Sequence, residues 1–363
     1  MRIAFVIPNL GSGGAERVAS LLCNDWAGQD HEVTLLTFEE AGAEPFFPLD
    51  PRISLRPLAA AELSRGVASM LSKNFARVSR LRAALRALRP DAIVAFMTEA
   101  NVLTLAAARG LHAPVVISER NQPNRPGLGR MHKIARRLTY PLASAIVVQT
   151  EGIADWAESR FRVPVHVIPN PVPRAHSAGA NAPAGAPLIV SLGRLTSQKG
   201  LDLLIESFAQ LAAKHQTWRV AIYGEGPERA ALVRLVAKRG LADKVSLPGV
   251  TKDVPAALRQ ASLFVLPSRY EGYPNALVEA LACGLPIVAA DCPGATAEIL
   301  KDGLHGMLVP AGDVPALTRA LDAMMSSPEL RAAYARRAVG AVTALDVRAI
   351  GQRWLDLFAS LRV

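Results

Sequence analysis

The sequence predicts an α/β protein built from two Rossmann-like domains in series, with the ligand cleft expected between them. Three observations lead there. A chain of 363 residues is too long for one ordinary core and suits two domains of about 150 to 180 residues each. Short apolar runs alternate with longer amphipathic stretches, the pattern of a parallel sheet covered by helices. One proline- and glycine-rich stretch interrupts that pattern near the middle.

Taken in order, the first domain is expected over 1–168, with strands at 3–7, 32–37, 92–96, 115–117 and 145–148. Its helices include 15–27 and 75–88. Residues 169–187, PNPVPRAHSAGANAPAGAP, carry neither helical nor strand period and read as a linker. The second domain is expected over 188–345. It opens with a strand at 188–192, a helix from about 200 to 214, a strand at 219–223 and a helix at 227–239. Strands follow at 245–247, 263–266 and 286–289. Asp346 reads as the N-cap of a last helix, ending near Leu361, in the segment 346–363. Ligands of such sheets sit at the carboxyl ends of the strands.

Composition excludes some classes. Half the residues are hydrophobic and 20% are charged, which suits a packed globule and not a disordered chain. No stretch reaches the roughly 20 consecutive apolar residues that cross a bilayer. The opening MRIAFVIPNLGSGG is shorter than a secretory signal, so a cytoplasmic location is expected. Cys23, Cys283 and Cys292 lack metal or disulfide spacing and read as free thiols.

The net charge of +10 is unevenly spread. Seven Lys or Arg and no acid lie between Arg65 and Arg89, and six with no acid between Arg120 and Arg137. Such clusters create one-signed fields that attract anions. The first also carries Val67, Met70, Leu71, Phe75, Val78, Leu81, Leu85 and Leu88 at helical spacing. That stripe suits either the surface of an anionic membrane or the protein's own core. A nucleic-acid partner is not expected.

Three segments carry chemistry. GSGGAER, from Gly11 to Arg17, follows the first strand, and its glycines let backbone N–H groups approach a phosphate at a helix start. It is not a dinucleotide fingerprint, because Glu16 stands at the third glycine position, although Glu39 ends the second strand where a ribose acid would sit. SLGRLTSQKG, from Ser191 to Gly200, places Arg194 and Lys199 in a glycine-flanked loop able to aim two cations at a diphosphate. PSRYEGYPNALVEA, from Pro267 to Ala280, places Glu271 before a helix and Glu279 within it, about two turns on. Carboxylates only accept hydrogen bonds, which suits sugar and ribose hydroxyls. Between them, Tyr273, Asn275 and Ala276 would offer backbone N–H groups to phosphate.

Together the segments GGAER, IPNPV, LGRLTSQKG, YGEGPE and EGYPNALVE, in this order, resemble the retaining glycosyltransferases of family 4, and the resemblance covers essentially the whole chain. It implies the GT-B fold, with the last helix returning to the first domain. It also implies that Glu271 contacts hydroxyls of the donor sugar and Glu279 the nucleotide ribose, while Arg194 and Lys199 bind the donor diphosphate. Amides of Gly13 and Gly14 would approach the donor phosphates; Gly224, Gly226 and Val250 would lie near the base. Many relatives carry a histidine after the strand at 115–117; here the loop is SERNQP, which puts Glu119 and Arg120 at that place, and Glu119 joins Glu271, Arg194 and Lys199 as the candidate catalytic residues. His112 and His132 read as surface residues. This variant resembles the branch acting on lipid-linked or polysaccharide acceptors in bacterial cell-surface glycan synthesis.

The expected reaction is transfer of a hexosyl or N-acetylhexosaminyl group from a nucleoside-diphosphate sugar, of uridine by preference, with retention. Arg17, Arg120, Arg125, Arg130 and Lys133 would hold an anionic acceptor or the inner face of the cytoplasmic membrane. No Asp-x-Asp sequence occurs, so no metal or other cofactor is expected. The alternatives are a nucleotide-sugar 2-epimerase of the same fold and a non-catalytic nucleotide-sugar-binding protein.

Overall fold

In the computed structural model, which describes residues 1–58, 67–120, 130–173 and 186–362, the buried aliphatic runs lie in two parallel sheets. The chain divides into one unit of Met1–Pro171 with Val347–Val363, and a second of Val172–Asp346.

The first unit runs β1 (Arg2–Ile7), α1 (Gly14–Gly28), β2 (Glu32–Thr37), β3 (Ser54–Pro57), α2 (Val67–Leu88), β4 (Ala92–Phe96), α3 (Thr98–Ala108), β5 (Val115–Ser118), α4 (Arg130–Thr139), β6 (Ala145–Val148), α5 (Glu151–Glu158) and β7 (Val165–Val167). Its sheet has the order β3-β2-β1-β4-β5-β6-β7. The second unit runs β8 (Leu188–Leu192), α6 (Leu201–Leu211), β9 (Arg219–Tyr223), α7 (Arg229–Lys238), β10 (Val245–Gly249), α8 (Val254–Arg259), β11 (Leu263–Leu266), α9 (Asn275–Ala282), β12 (Ile287–Asp291), α10 (Thr296–Leu300), β13 (Met307–Pro310), α11 (Val314–Ser326) and α12 (Pro328–Ala341). Its sheet has the order β10-β9-β8-β11-β12-β13. Both sheets therefore reverse direction once, between β1 and β4 in one unit and between β8 and β11 in the other. At such a switch point neighbouring loops part and leave a crevice at the strand ends.

The last helix, α13 (Val347–Ser360), belongs to the first unit although all of the second unit precedes it in the chain. Aromatic burial fixes it there. Trp354 and Phe358 are fully buried, with Trp26 5.6 Å from the Phe358 ring and Phe96 5.8 Å from the Trp354 ring. The indole N–H of Trp26 donates to the Gly351 carbonyl at 3.2 Å, so the ring's one polar atom is satisfied inside the core.

Sequence reading misses three strands, β3, β7 and β13. β3 is an edge strand with largely exposed side chains, SLRP, and β7 is only three half-buried residues long, so neither carries a clear apolar run. The helix expected over 200–214 ends at Leu211 and is preceded by a 3-10 turn at Ser197–Lys199. The stripe on the first basic helix turns toward the core where it is described: Leu81 and Leu85 are buried with Val78 and Leu88 packed beside them, while Phe75 is exposed. Its residues 65–66 and the linker residues 174–185 lie outside the described residues. The cysteines are unpaired thiols, and burial pushes the Cys292 thiol up to about 11.

Replacing Trp354 by alanine removes a fully buried indole. It should destabilise the first unit by about 3–5 kcal/mol, read as an earlier urea transition. An unchanged transition would mean that α13 is not held by these rings.

Candidate active site

At the switch point of the second unit, the loop leaving β8 meets the loop leaving β11. The Arg269 N–H donates to the Gln198 carbonyl at 2.8 Å, and the Gln198 side-chain amide donates to the Tyr270 carbonyl at 3.0 Å. The Arg269 guanidinium reaches the Ser197 carbonyl and forms two bonds with Asp202, at 2.9 and 2.7 Å. Two stretches about 70 residues apart in sequence are thus laced by backbone and side chain together.

Inside this lacing, Lys199 Nζ lies 2.7 Å from Glu271 Oε1. The same oxygen accepts from the buried Ser268 hydroxyl at 2.5 Å. Glu271 is 3% exposed, so its charge is held by partners and not by water. A short bond from a hydroxyl to an ionised carboxylate is among the stronger kinds. Arg194, on the same loop as Lys199, is exposed, and its guanidinium makes no hydrogen bond or ion pair among the described residues.

Two glycines hold the arrangement at close range. Gly224 has φ +143°, and a Cβ there would overlap the Gly193 carbonyl beside Arg194. Gly294 has φ +135°, and a Cβ would overlap the carbonyl of Glu271. Only glycine combines that backbone with that proximity. Gly226 lies against the Leu195 carbonyl, and Val250 is 44% exposed just beyond β10. Sequence reasoning missed Ser268 and Gly294. Ser268 stands in the quoted PSRYEG string, three residues before Glu271, which is the one signal that was available.

The start of α9 differs from expectation in one donor. Asn275 is the first helical residue, and its N–H is donated to the Tyr273 carbonyl at 3.0 Å, so it is not free for phosphate. Ala276 lies in the first turn, and Glu279, further along α9, is 8% exposed.

In the first unit, the glycine loop follows β1, with Gly13 as the N-cap of α1 and Gly14 its first residue. Glu16 folds its carboxylate over Gly13, as a capping-box acid does at the third helical position. Glu39 is no ribose acid here: its carboxylate accepts the Leu10 N–H at 2.9 Å and pins the loop. Arg17 stacks 5.2 Å from the centre of the Phe47 ring.

Glu119 sits in a closed network. Expected to meet the reacting sugar, it is 1% exposed and enclosed by donors. Tyr140 donates at 2.7 Å, Thr98 at 3.0 Å and Arg136 at 3.3 Å. Burial, and then the Glu119 charge, push the Tyr140 phenol well up, which keeps it a donor. Its carboxylate is thus already bonded to three side chains of the first unit. Arg120, half-buried, stacks 3.6 Å over Phe96 and bonds Asn170. Met97, between β4 and Thr98, has φ +76°, rare for an unbranched bulky residue; it is held by Ser118, whose carbonyl accepts its N–H at 3.2 Å. Of the remaining acceptor candidates, Lys133 is exposed on α4, while Arg125 and the side chain of Arg130 lie outside the described residues. His112 and His132 are exposed.

Comparison with known proteins matches the profile of Glycosyltransferase Family 4 to residues 12–176 and that of Glycosyl transferases group 1 to residues 174–339. The chain is 30% identical over 249 residues to the lipopolysaccharide core biosynthesis glycosyltransferase LpsE of Rhizobium meliloti, covering 66% of this chain and 72% of the relative. It is 28% identical, over 100% of this chain and 99% of the relative, to an α-1,4-N-acetyl-D-galactosaminyltransferase of Campylobacter jejuni whose named acceptor is a diphospho-undecaprenol-linked glycan. It spans 39% of an exopolysaccharide phosphotransferase of Streptomyces coelicolor, at 28% identity over 96% of this chain. Among solved structures, sucrose-phosphate synthase of Thermosynechococcus elongatus superposes with a TM-score of 0.85 at 18% identity, covering 99% of this chain and 98% of that one. Anabaena HepE, solved with UDP and glucose, gives 0.80 at 19% identity, covering 99% and 100%.

Three substitutions separate holding from reacting. Gly294→Ala should weaken nucleotide-sugar binding by about tenfold or more, whereas Gly240→Ala, at φ +66° with open space around it, should cost only about 1 kcal/mol of stability and leave binding intact. Glu119→Gln should lower stability by about 3 kcal/mol or more while turnover per folded molecule changes little. A large loss of turnover with full stability would restore Glu119 to the reaction.

Proposed function

Since the chain belongs to the family 4 glycosyltransferases and has the GT-B fold, we propose that it moves a hexosyl or N-acetylhexosaminyl group from a nucleoside-diphosphate sugar to a lipid-linked or polysaccharide acceptor with retention. The observation that carries this reading is the cluster at the switch point of the second unit: Lys199 and Ser268 on Glu271, with the guanidinium of Arg194 left unengaged beside them.

The chemistry follows from charge. When the glycosidic bond to the diphosphate breaks, positive charge grows on the sugar ring and negative charge on the leaving oxygens. One cation about 4 Å from a unit of that charge is worth roughly 4 kcal/mol gross at an effective dielectric of 20. Arg194 and Lys199 supply two on one loop, and cations placed before the reaction are how electrostatic catalysis gains most. Glu271, an acceptor only, takes donor-sugar hydroxyls, and Glu279 takes those of the ribose. In this reading the departing phosphate takes the acceptor's proton as the new glycosidic bond forms. The reading needs no metal ion, because these cations do a metal's electrostatic work.

Uridine as the nucleotide draws support from the UDP named in the HepE complex, and the lipid-linked acceptor from the Campylobacter relative. An acceptor of that kind puts the work at the inner face of the cytoplasmic membrane. Among the described residues, no helix is long and apolar enough to cross a membrane.

Arg194→Ala and Lys199→Ala should each lower turnover by about 100-fold or more, and Glu271→Gln should abolish donor use without loss of helical signal. The assay is release of nucleoside diphosphate from a panel of uridine and guanosine sugars with bacterial lipid extract. Full activity in both cation variants would refute the diphosphate role. Donor turnover that ignores the extract would point to the epimerase, and donor binding with no release to a binding protein. A chelator should leave the rate unchanged; a rate that returns only with Mg²⁺ would overturn metal independence.

A further inference from the structure

Helix α4 is inside out. Arg136 faces the interior, 5% exposed, and bonds Glu119. The opposite side carries Met131, Ile134 and Leu138, exposed by 64, 53 and 71%. At 100° per residue, positions i, i+3 and i+7 form one stripe, and Leu142, 51% exposed in the 3-10 turn that follows, extends it. These are four of the eight large hydrophobic side chains most exposed among the described residues. Singly exposed apolar residues are ordinary; four in a row on one helix mark a surface that something covers.

The charge around the stripe identifies the cover. Lys133 and Arg137, both exposed, lie one turn apart along one edge of the stripe. From Arg120 to Thr150 the chain contains six Lys or Arg and no Asp or Glu. A protein surface that had to be discriminated from others would be expected to use both signs of charge; an apolar stripe edged by cations alone suits a sheet of acyl chains beneath anionic headgroups. Long cationic side chains can keep their heads at headgroup depth while the stripe enters the boundary region. Phe75, 77% exposed on α2, adds a further apolar group on a helix that, like α4, packs on α3.

We propose that the outward face of α4, with Met131, Ile134, Leu138 and Leu142 as the inserting groups and Lys133 and Arg137 as the cationic edge, docks the protein on an anionic bilayer. This deepens the lipid-linked acceptor reading above, since such an acceptor is met in the membrane plane. Of the two basic clusters in the sequence it selects the second, since Leu81 and Leu85 of the first are buried in the core.

The test is cosedimentation with vesicles of phosphatidylglycerol and, separately, of phosphatidylcholine. The wild-type chain should pellet with the first and little with the second. The double variant Ile134→Ser with Leu138→Ser should lose affinity for the anionic vesicles by about tenfold or more, while its UDP affinity, measured without lipid, stays unchanged. Lys133→Glu with Arg137→Glu should lose binding at low salt. Equal vesicle binding by wild type and the serine variant overturns the proposal. So does a wild-type oligomer that the serine variant dissolves, which would make a second copy the cover. Failure of UDP binding in every variant would instead count against the donor reading and leave the vesicle result to stand separately.

Discussion

Lys199 and Glu271 meet at 2.7 Å across the two loops that leave β8 and β11, and the rest of the candidate site depends on that contact. Glu271 is nearly out of reach of water, so its charge persists only if the protein supplies partners; Lys199 and Ser268 are those partners. A buried ion pair of this kind is weak as a source of stability, since desolvation consumes much of the attraction. What it secures is position. It fixes a cation and an acceptor side by side at a strand end, where a charged ligand with hydroxyl groups can replace each partner's contact with its own.

The first unit shows the same topology put to another use. Its switch point between β1 and β4 also gathers a glycine loop and a carboxylate network, but the network is sealed. Glu119 accepts from three side chains and none of its surface is offered outward. A carboxylate with that many donors is a fastener. It ties α3, through Thr98, to α4, through Arg136, and the unusual backbone at Met97 is the local cost of bringing Thr98 into range.

Legibility in the sequence followed the strength of each local signal. Buried parallel strands such as 92–96 and 145–148 are unbroken apolar runs and can be read directly. The edge strand β3 cannot, because it has a polar neighbour at nearly every step and no face committed to the core. In the site, residues within a motif string were readable as a set, while their partners were not. Ser268 is an ordinary serine until the fold turns its hydroxyl onto Glu271, and Gly294 gives no sign that it lies under that residue's carbonyl. Glu119 shows the complementary limit: its place in the chain pointed to the reaction, but its burial is a three-dimensional fact.

The sealed network and the outward stripe on α4 are two sides of one choice. A helix of ten residues has room for one buried face. Once Arg136 is spent on Glu119, the face that meets the interior is the polar one, and Met131, Ile134 and Leu138 are left on the outside. Had those residues been needed for the core, the helix would have turned over at little cost, with an aliphatic side chain in place of Arg136 and a neutral one in place of Glu119. Retaining a desolvated ion pair in order to keep an apolar stripe in view makes physical sense only where the stripe has a surface to meet. That is why the buried charge, more than the exposed residues themselves, argues that the outer face of α4 is functional.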